Sequence, residues 1–220
     1  MVIHMIVYYL PTRDRTDYDD SEAILSWVPE QQKVIVASMK SAARRWEHLS
    51  AYAMLVYAVQ NDKAKIADAE CCIEEFRADM NGIDKHTPLP IWSFGEHGKP
   101  YITNFDGIEF NISHCRQAVV VAVSNRVVGV DAEGSRRFSE TTLGKACSNE
   151  ERDAIVNADN PSVEFSRIWT HKEAFFKWTG TGILLSQLKD VERLAKEANC
   201  TLMTYWIDCL GFFITVAQKA

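Results

Sequence analysis

The 220-residue chain has six cysteines but no CxxC pair, and none of its six histidines stands at HExxH spacing, so zinc clusters and zincin-type metal sites are excluded. No apolar run reaches the roughly 20 residues that a bilayer-spanning helix needs. There is no excess of positive charge: 24 Lys and Arg face 30 Asp and Glu, a net −6. General nucleic-acid binding, which leans on a basic field, is therefore not expected. The apolar start "MVIHMIVYYL" lacks a basic leader and a small-residue cleavage site, and reads as a first strand rather than a signal peptide. Thiols without a disulfide framework in a chain of this length point to a reducing, cytoplasmic setting.

What is present is ample core material, 47% hydrophobic, enough for one large domain or two lobes of about 100 residues. Strand-like residues 2–10 end at Pro11. Helical periodicity runs from about Ser26 to Gln60, and the pattern of "DKAKIADAECCIEEFRADM" predicts a further helix ending at Asn81–Gly82. A Pro, Gly and aromatic-rich stretch leads to the strand "IEFNIS". "AVVVAVS" follows, turned at Asn125–Arg126 into "VVGVDAE". Helices are predicted over 139–158 and 162–179, and a hairpin at the end of the chain around Cys209–Gly211. The order strand, helices, strands appears twice. That predicts an α+β fold of two similar lobes, 1–125 and 126–220, each a small, mainly antiparallel sheet packed with helices.

"GVDAEG" places Asp131 and Glu133 two residues apart on a strand, so both carboxylates leave the same face. Adjacent negative charges require a cation or a proton to offset them. In "RIWTHKEAFFKWTGTGI", Trp169, Glu173 and Lys177 recur at helical spacing and share a stripe. A third carboxylate and an amine could thus face the acidic pair, and three oxygen donors suit Mg²⁺. Lys99 and His114 lie near turns where free backbone amides meet anions. Glu151, outside these motifs, is expected to be indifferent to the chemistry.

"GKP", "FNISHC", "VGVDAE" and "WTHKEAFFKWTGTGI", in this order and spacing, resemble the 4′-phosphopantetheinyl transferases, in particular the larger surfactin-synthetase type. The resemblance covers roughly Trp92 to Ile183. It implies an Mg²⁺-dependent enzyme, of holo-acyl-carrier-protein synthase type. Such an enzyme moves the phosphopantetheine arm of coenzyme A onto a serine of an apo acyl or peptidyl carrier protein and releases 3′,5′-ADP. By motif position, Asp131, Glu133 and Glu173 would hold the metal. Lys177 would act at the reacting phosphate, and Glu173 or Glu133 would serve as base. Lys99, Pro100, Ser113 and His114 would line the coenzyme A site, with Arg44 and Arg45 offered by the first lobe alongside Lys40. Arg136 and Arg137 are further candidates for phosphate or carrier contact. Cys115 stands where the family motif has a second serine. A chain of two lobes brings both halves of a site together in one molecule, so a monomer is expected, and the charge and the short apolar runs predict partners other than membrane or nucleic acid. The alternative is a catalytically silent module that binds coenzyme A or a carrier protein on the same fold.

Overall fold

The strand "AVVVAVS" is buried along its whole length, as expected of a strand covered on both faces, and the molecule is layered around it. The computed structural model describes residues 4–12, 24–25, 28–61, 66, 70–77 and 88–220. In chain order the elements are β1 (Ile6–Pro11), α1 (Glu30–Ser38), α2 (Ala42–Asn61), β2 (Cys72–Glu75), β3 (Trp92–Phe94), β4 (Pro100–Ile102), β5 (Glu109–His114), β6 (Ala118–Ser124) and β7 (Val128–Gly134). They continue with α3 (Glu140–Ala146), α4 (Asn149–Val156), α5 (Pro161–Thr179), a 3₁₀ turn (Leu185–Asp190), α6 (Val191–Glu197), β8 (Cys200–Ile207) and β9 (Phe212–Lys219). This is an α+β fold.

One sheet has the order β2-β1-β6-β5, a second β7-β9-β8, and β3 and β4 form a separate hairpin. Within the first sheet β1-β6-β5 is antiparallel, as is β7-β9-β8 in the second, so the two share one strand plan. Val119, Val121 and Val123 of β6 pack on α2. Ala118, Val120 and Ala122 face the second sheet, meeting Val128, Val130, Ala132, Ile214 and Val216. The far side of the second sheet carries α5, with Phe175 and Phe176 buried there. The layers run helix, sheet, sheet, helix.

The helical pattern read from about Ser26 to Gln60 appears, among the described residues, as α1 and α2, separated at 39–41, and the stretch predicted over 139–158 divides at Cys147–Ser148. At that break Ser148 opens α4 with a reciprocal capping box to Glu151. The helix predicted to run to Asn81–Gly82 is corrected over Cys72–Glu75. These residues form β2, parallel to β1 in the register Ile6↔Cys72 to Tyr9↔Glu75. Pairing with β1 overrides the local helical pattern. The expected cap at Asn81–Gly82 lies outside the described residues. Among the described residues no helix is long and apolar enough to cross a membrane.

Candidate active site

β7 supplies the acidic pair. Its even residues Val128, Val130 and Ala132 enter the core between the sheets, so by strand alternation Gly129, Asp131 and Glu133 face α5. α5 is delimited by its own sequence. The Asn160 side chain accepts from Val163 N, Pro161 occupies the first turn, and Gly180 closes the helix in the left-handed region at φ 72°. The helix lies directly on β7: a Cβ on Gly129 would come within 2.2 Å of the Ala174 carbonyl oxygen and 2.5 Å of Trp178 N. That close approach carries Glu173 and Lys177 to the acids.

Lys177 Nζ donates to Asp131 Oδ1 at 2.6 Å and to Ser113 Oγ at 2.8 Å. Ser113 Oγ in turn donates to Asp131 Oδ1 at 2.9 Å and accepts from Ala132 N at 3.1 Å. Asp131 is 3% exposed, so its charge depends on these partners. Glu173 Oε1 accepts from Trp169 Nε1 at 2.6 Å. Its carboxyl is pushed up to about 7, first by burial and then by the charge of Asp131. Glu133 is also raised by burial, partly offset by Arg136, whose guanidinium donates to it at 3.1 Å. Arg136 also lies over the Trp169 ring, 5.1 Å from its centroid. Three carboxylates and one ammonium thus share a half-buried corner.

The predicted binding residues divide between two cavities on either side of Ile112 of β5. One, of about 430 Å³, is lined by Lys40, Arg44, Glu47, His48 and His114. Arg44 Nη1 meets His114 Nε2 at 2.9 Å, and Glu47 stands 3.7 Å from the same imidazole. Burial pulls His114 below its ordinary pKa. The other cavity, of about 220 Å³, is lined by Lys99, Pro100, Glu173, Lys177 and Gly180 among others. Lys99 Nζ donates to the carbonyls of Val128 and Trp178 at 3.2 and 3.3 Å, tying β7 to the last turn of α5. Burial lowers its pKa.

Two predicted residues sit apart from these cavities. Ser113, 4% exposed, is turned inward onto Asp131. Arg45 donates to the carbonyls of Met39 and Lys40 at 2.6 and 3.5 Å, which fastens the turn before α2. Sequence reasoning missed Asn111, whose Oδ1 accepts from Val130 N at 2.9 Å, and Lys172, buried against Glu151 Oε1 at 2.6 Å. Asn111 had a legible signal, one strand repeat before Ser113. Glu151, expected to be indifferent to the chemistry, has a structural role as the partner of Lys172.

Among the described residues no three His, Cys, Asp or Glu side chains are gathered as a ready-made cation cage. Asp131 is instead held by Lys177, Glu133 by Arg136 and Glu173 by Trp169. The donor chemistry nevertheless fits a hard divalent ion: all the groups are carboxylates, and Glu173 is raised first by burial and then by the neighbouring charge of Asp131.

Residues 127–205 match the family model described as the 4′-phosphopantetheinyl transferase superfamily. Among curated relatives, 4′-phosphopantetheinyl transferase psf-1 of Bacillus pumilus is 30% identical over 125 residues, 51% of this chain and 54% of that one. 4′-Phosphopantetheinyl transferase Sfp of Bacillus subtilis (strain 168) is 30% identical over 130 residues, 53% of this chain and 58% of its own. 4′-Phosphopantetheinyl transferase gsp of Aneurinibacillus migulanus is 40% identical over 95 residues, 41% and 38% of the two chains. The chain spans about half the length of the curated relatives it matches. Over residues 127–205, the stretch that holds Asp131, Glu133, Glu173 and Lys177, this chain is similar to the 4′-phosphopantetheinyl transferase superfamily, the same family its motifs resemble.

Proposed function

We propose that this protein transfers the 4′-phosphopantetheine arm of coenzyme A to the serine hydroxyl of an apo acyl or peptidyl carrier protein, releasing 3′,5′-ADP. The observation that carries the reading is the convergence of Asp131, Lys177 and Glu173 where α5 crosses β7, in the order of the family's motifs. Phosphoryl-type transfer asks a protein chiefly for positioning and charge neutralisation. Mg²⁺ held by Asp131, Glu133 and Glu173 would neutralise the pyrophosphate and the charge that develops on the departing 3′,5′-ADP.

The chain's own groups do the rest. Lys177, already charge-paired in the corner, is placed to meet the reacting phosphate. Glu173 or Glu133, the two carboxylates beside Asp131, would take the serine proton. Arg44 and His114 give the larger cavity an anion-binding wall. Lys99 and Pro100 line the smaller one beside Glu173. Two lobes, 1–125 and 126–220, would thus contribute coenzyme A contacts and the metal-binding motifs respectively, within a monomer.

The test is to incubate the protein with coenzyme A, Mg²⁺ and several apo carrier proteins and follow carrier mass by mass spectrometry. A phosphopantetheine adduct on serine is expected. It should vanish with EDTA, with Asp131→Ala and with Glu173→Ala, but persist with Glu30→Ala, whose side chain is 82% exposed. Coenzyme A binding by calorimetry without any mass gain would identify a silent binding module instead.

A further inference from the structure

The registers of the second sheet set Asp131 of β7 opposite Thr215 of β9, and Thr215 opposite Thr204 of β8. Directly opposed residues of antiparallel strands project to the same face, so these three form one polar row straight across the sheet. α5 is fastened to every member of it. Lys177 bonds Asp131 at 2.6 Å, Thr215 Oγ1 donates to Thr170 Oγ1 at 2.8 Å, and His171 Nε2 lies 2.6 Å from Thr204 Oγ1. Thr204 and Thr215 share a hydroxyl contact at 2.8 Å, Thr170 donates on to the Arg167 carbonyl at 2.8 Å, and His171 Nδ1 meets Glu192 Oε1 of α6 at 3.0 Å. Each hydroxyl carries one proton. With Thr170 donating to Arg167 and Thr215 to Thr170, Thr204 must donate to Thr215, and His171 must supply the proton for Thr204. The bonds form one directed chain.

Thr170 and Thr215 are fully buried. Apart from the Lys99 bridge between β7 and the last turn of α5, the remaining contacts of α5 with the sheet are largely apolar: Phe175, Phe176, Ala174 and Ile168. Apolar packing is non-directional and tolerates small slides or rolls of a helix, whereas hydrogen bonds fix angle and distance. Thr170, Glu173 and Lys177 stand at i, i+3 and i+7, one stripe of the helix. Any roll of α5 therefore moves Glu173 and Lys177 together relative to Asp131.

We infer that Thr170, Thr204 and Thr215, closed by His171 and Glu192, are positioning residues: a hydroxyl rail that sets the roll of α5 and hence the reach of Glu173 and Lys177 toward Asp131. None of them lines either cavity of the candidate site; they act through the groups at the other end of the row. The kinetic consequence rests on the transferase reading above, and the geometric one stands without it.

The experiment compares Thr215→Val, isosteric but without the hydroxyl, with Thr215→Ser, which keeps it. Each variant is assayed for kcat and for KM of coenzyme A and carrier, and the crystal structure of Thr215→Val is solved. Thr215→Val is expected to lower kcat by about tenfold at little-changed KM for coenzyme A, since small misplacements of reacting groups act on the chemical step. Thr215→Ser should return to within about twofold of the parent rate. In the Thr215→Val crystal the Lys177–Asp131 contact should lengthen beyond hydrogen-bond range. Parental kcat with that contact retained overturns the inference, as does a serine variant as impaired as the valine one, which would show that the methyl group matters and the hydroxyl does not. Thr204→Val, half-buried at the open end of the row, takes the place of Thr215→Val if the latter does not fold. If the parent protein transfers nothing to any carrier, the transferase reading falls and the Lys177–Asp131 distance alone decides the rail.

Discussion

Lys172 offers the sharpest test of how the helix layer is held. Its side chain is 1% exposed, with Nζ donating to Glu151 Oε1 at 2.6 Å and to the Leu188 carbonyl at 2.7 Å. One ammonium thus joins α5, α4 and the 3₁₀ turn. Glu151 also accepts from Ser148 N through its other oxygen, at 2.7 Å, completing the capping box. Glu151→Gln can keep the cap through its single amide oxygen, but it removes the charge and turns an NH₂ donor toward the Lys172 ammonium. An ammonium buried without its counter-ion costs about 3 kcal/mol, which in a domain of this size lowers Tm by roughly 6–12 °C. Lys172→Met leaves Glu151 at 17% exposure, where its carboxylate can reach water, so the loss should be smaller, about 1–2 kcal/mol. The double variant, with neither charge, should recover to within about 1 kcal/mol of the parent. Thermal and urea unfolding of the four proteins measure the cycle. If Glu151→Gln unfolds with the parent's midpoint and slope, or if the double variant shows the plain sum of the two losses, the ion pair is not what joins these elements.

Gly129→Ala would drive a methyl into the Ala174 carbonyl and Trp178 N of α5. It should destabilise the fold by about 3 kcal/mol and reduce activity in the fraction that remains folded, both readable from urea melts and rate assays. His48 makes an edge contact with Trp92 at 4.9 Å and lies 3.2 Å from Gln32 Oε1, and burial lowers its pKa to about 4. The unfolded chain, with a histidine near 6.5, binds that proton first. Stability is therefore full above about 6.5 and falls as pH drops toward 4, by as much as about 3 kcal/mol and about 2 once partial solvent contact is allowed for. Denaturation midpoints across this range should flatten in His48→Gln, and an unchanged slope would refute the assignment.

The parts of the site that could be read from sequence are those governed by local period. Asp131 and Glu133 share a face because strand alternation requires it, and Glu173 and Lys177 share a stripe because they are one helical turn apart. The twofold recurrence of strand, helices and strands likewise surfaces in the matching orders β1-β6-β5 and β7-β9-β8. What stayed hidden depends on distant partners. β2 has a helical local pattern and is a strand only because β1 lies beside it. Ser113 and Arg45 look like ligand-facing groups, yet their bonds go to Asp131 and to the carbonyls of Met39 and Lys40. Glu151 looks expendable until α5 folds down and Lys172 needs it.

Ser113 and Asn111 of β5 do for β7 what a neighbouring strand would otherwise do, accepting from the backbone amides of Ala132 and Val130. The first half of the chain therefore supplies hydrogen bonds that the second half's outermost strand lacks, at the very residues flanking Asp131. The corner is completed by both halves, since Ser113 of the first bonds Asp131 of the second. Two fragments divided in the turn between β6 and β7 should each be inert and regain function on mixing, so activity doubles as a gauge of whether the two sheets have docked in register.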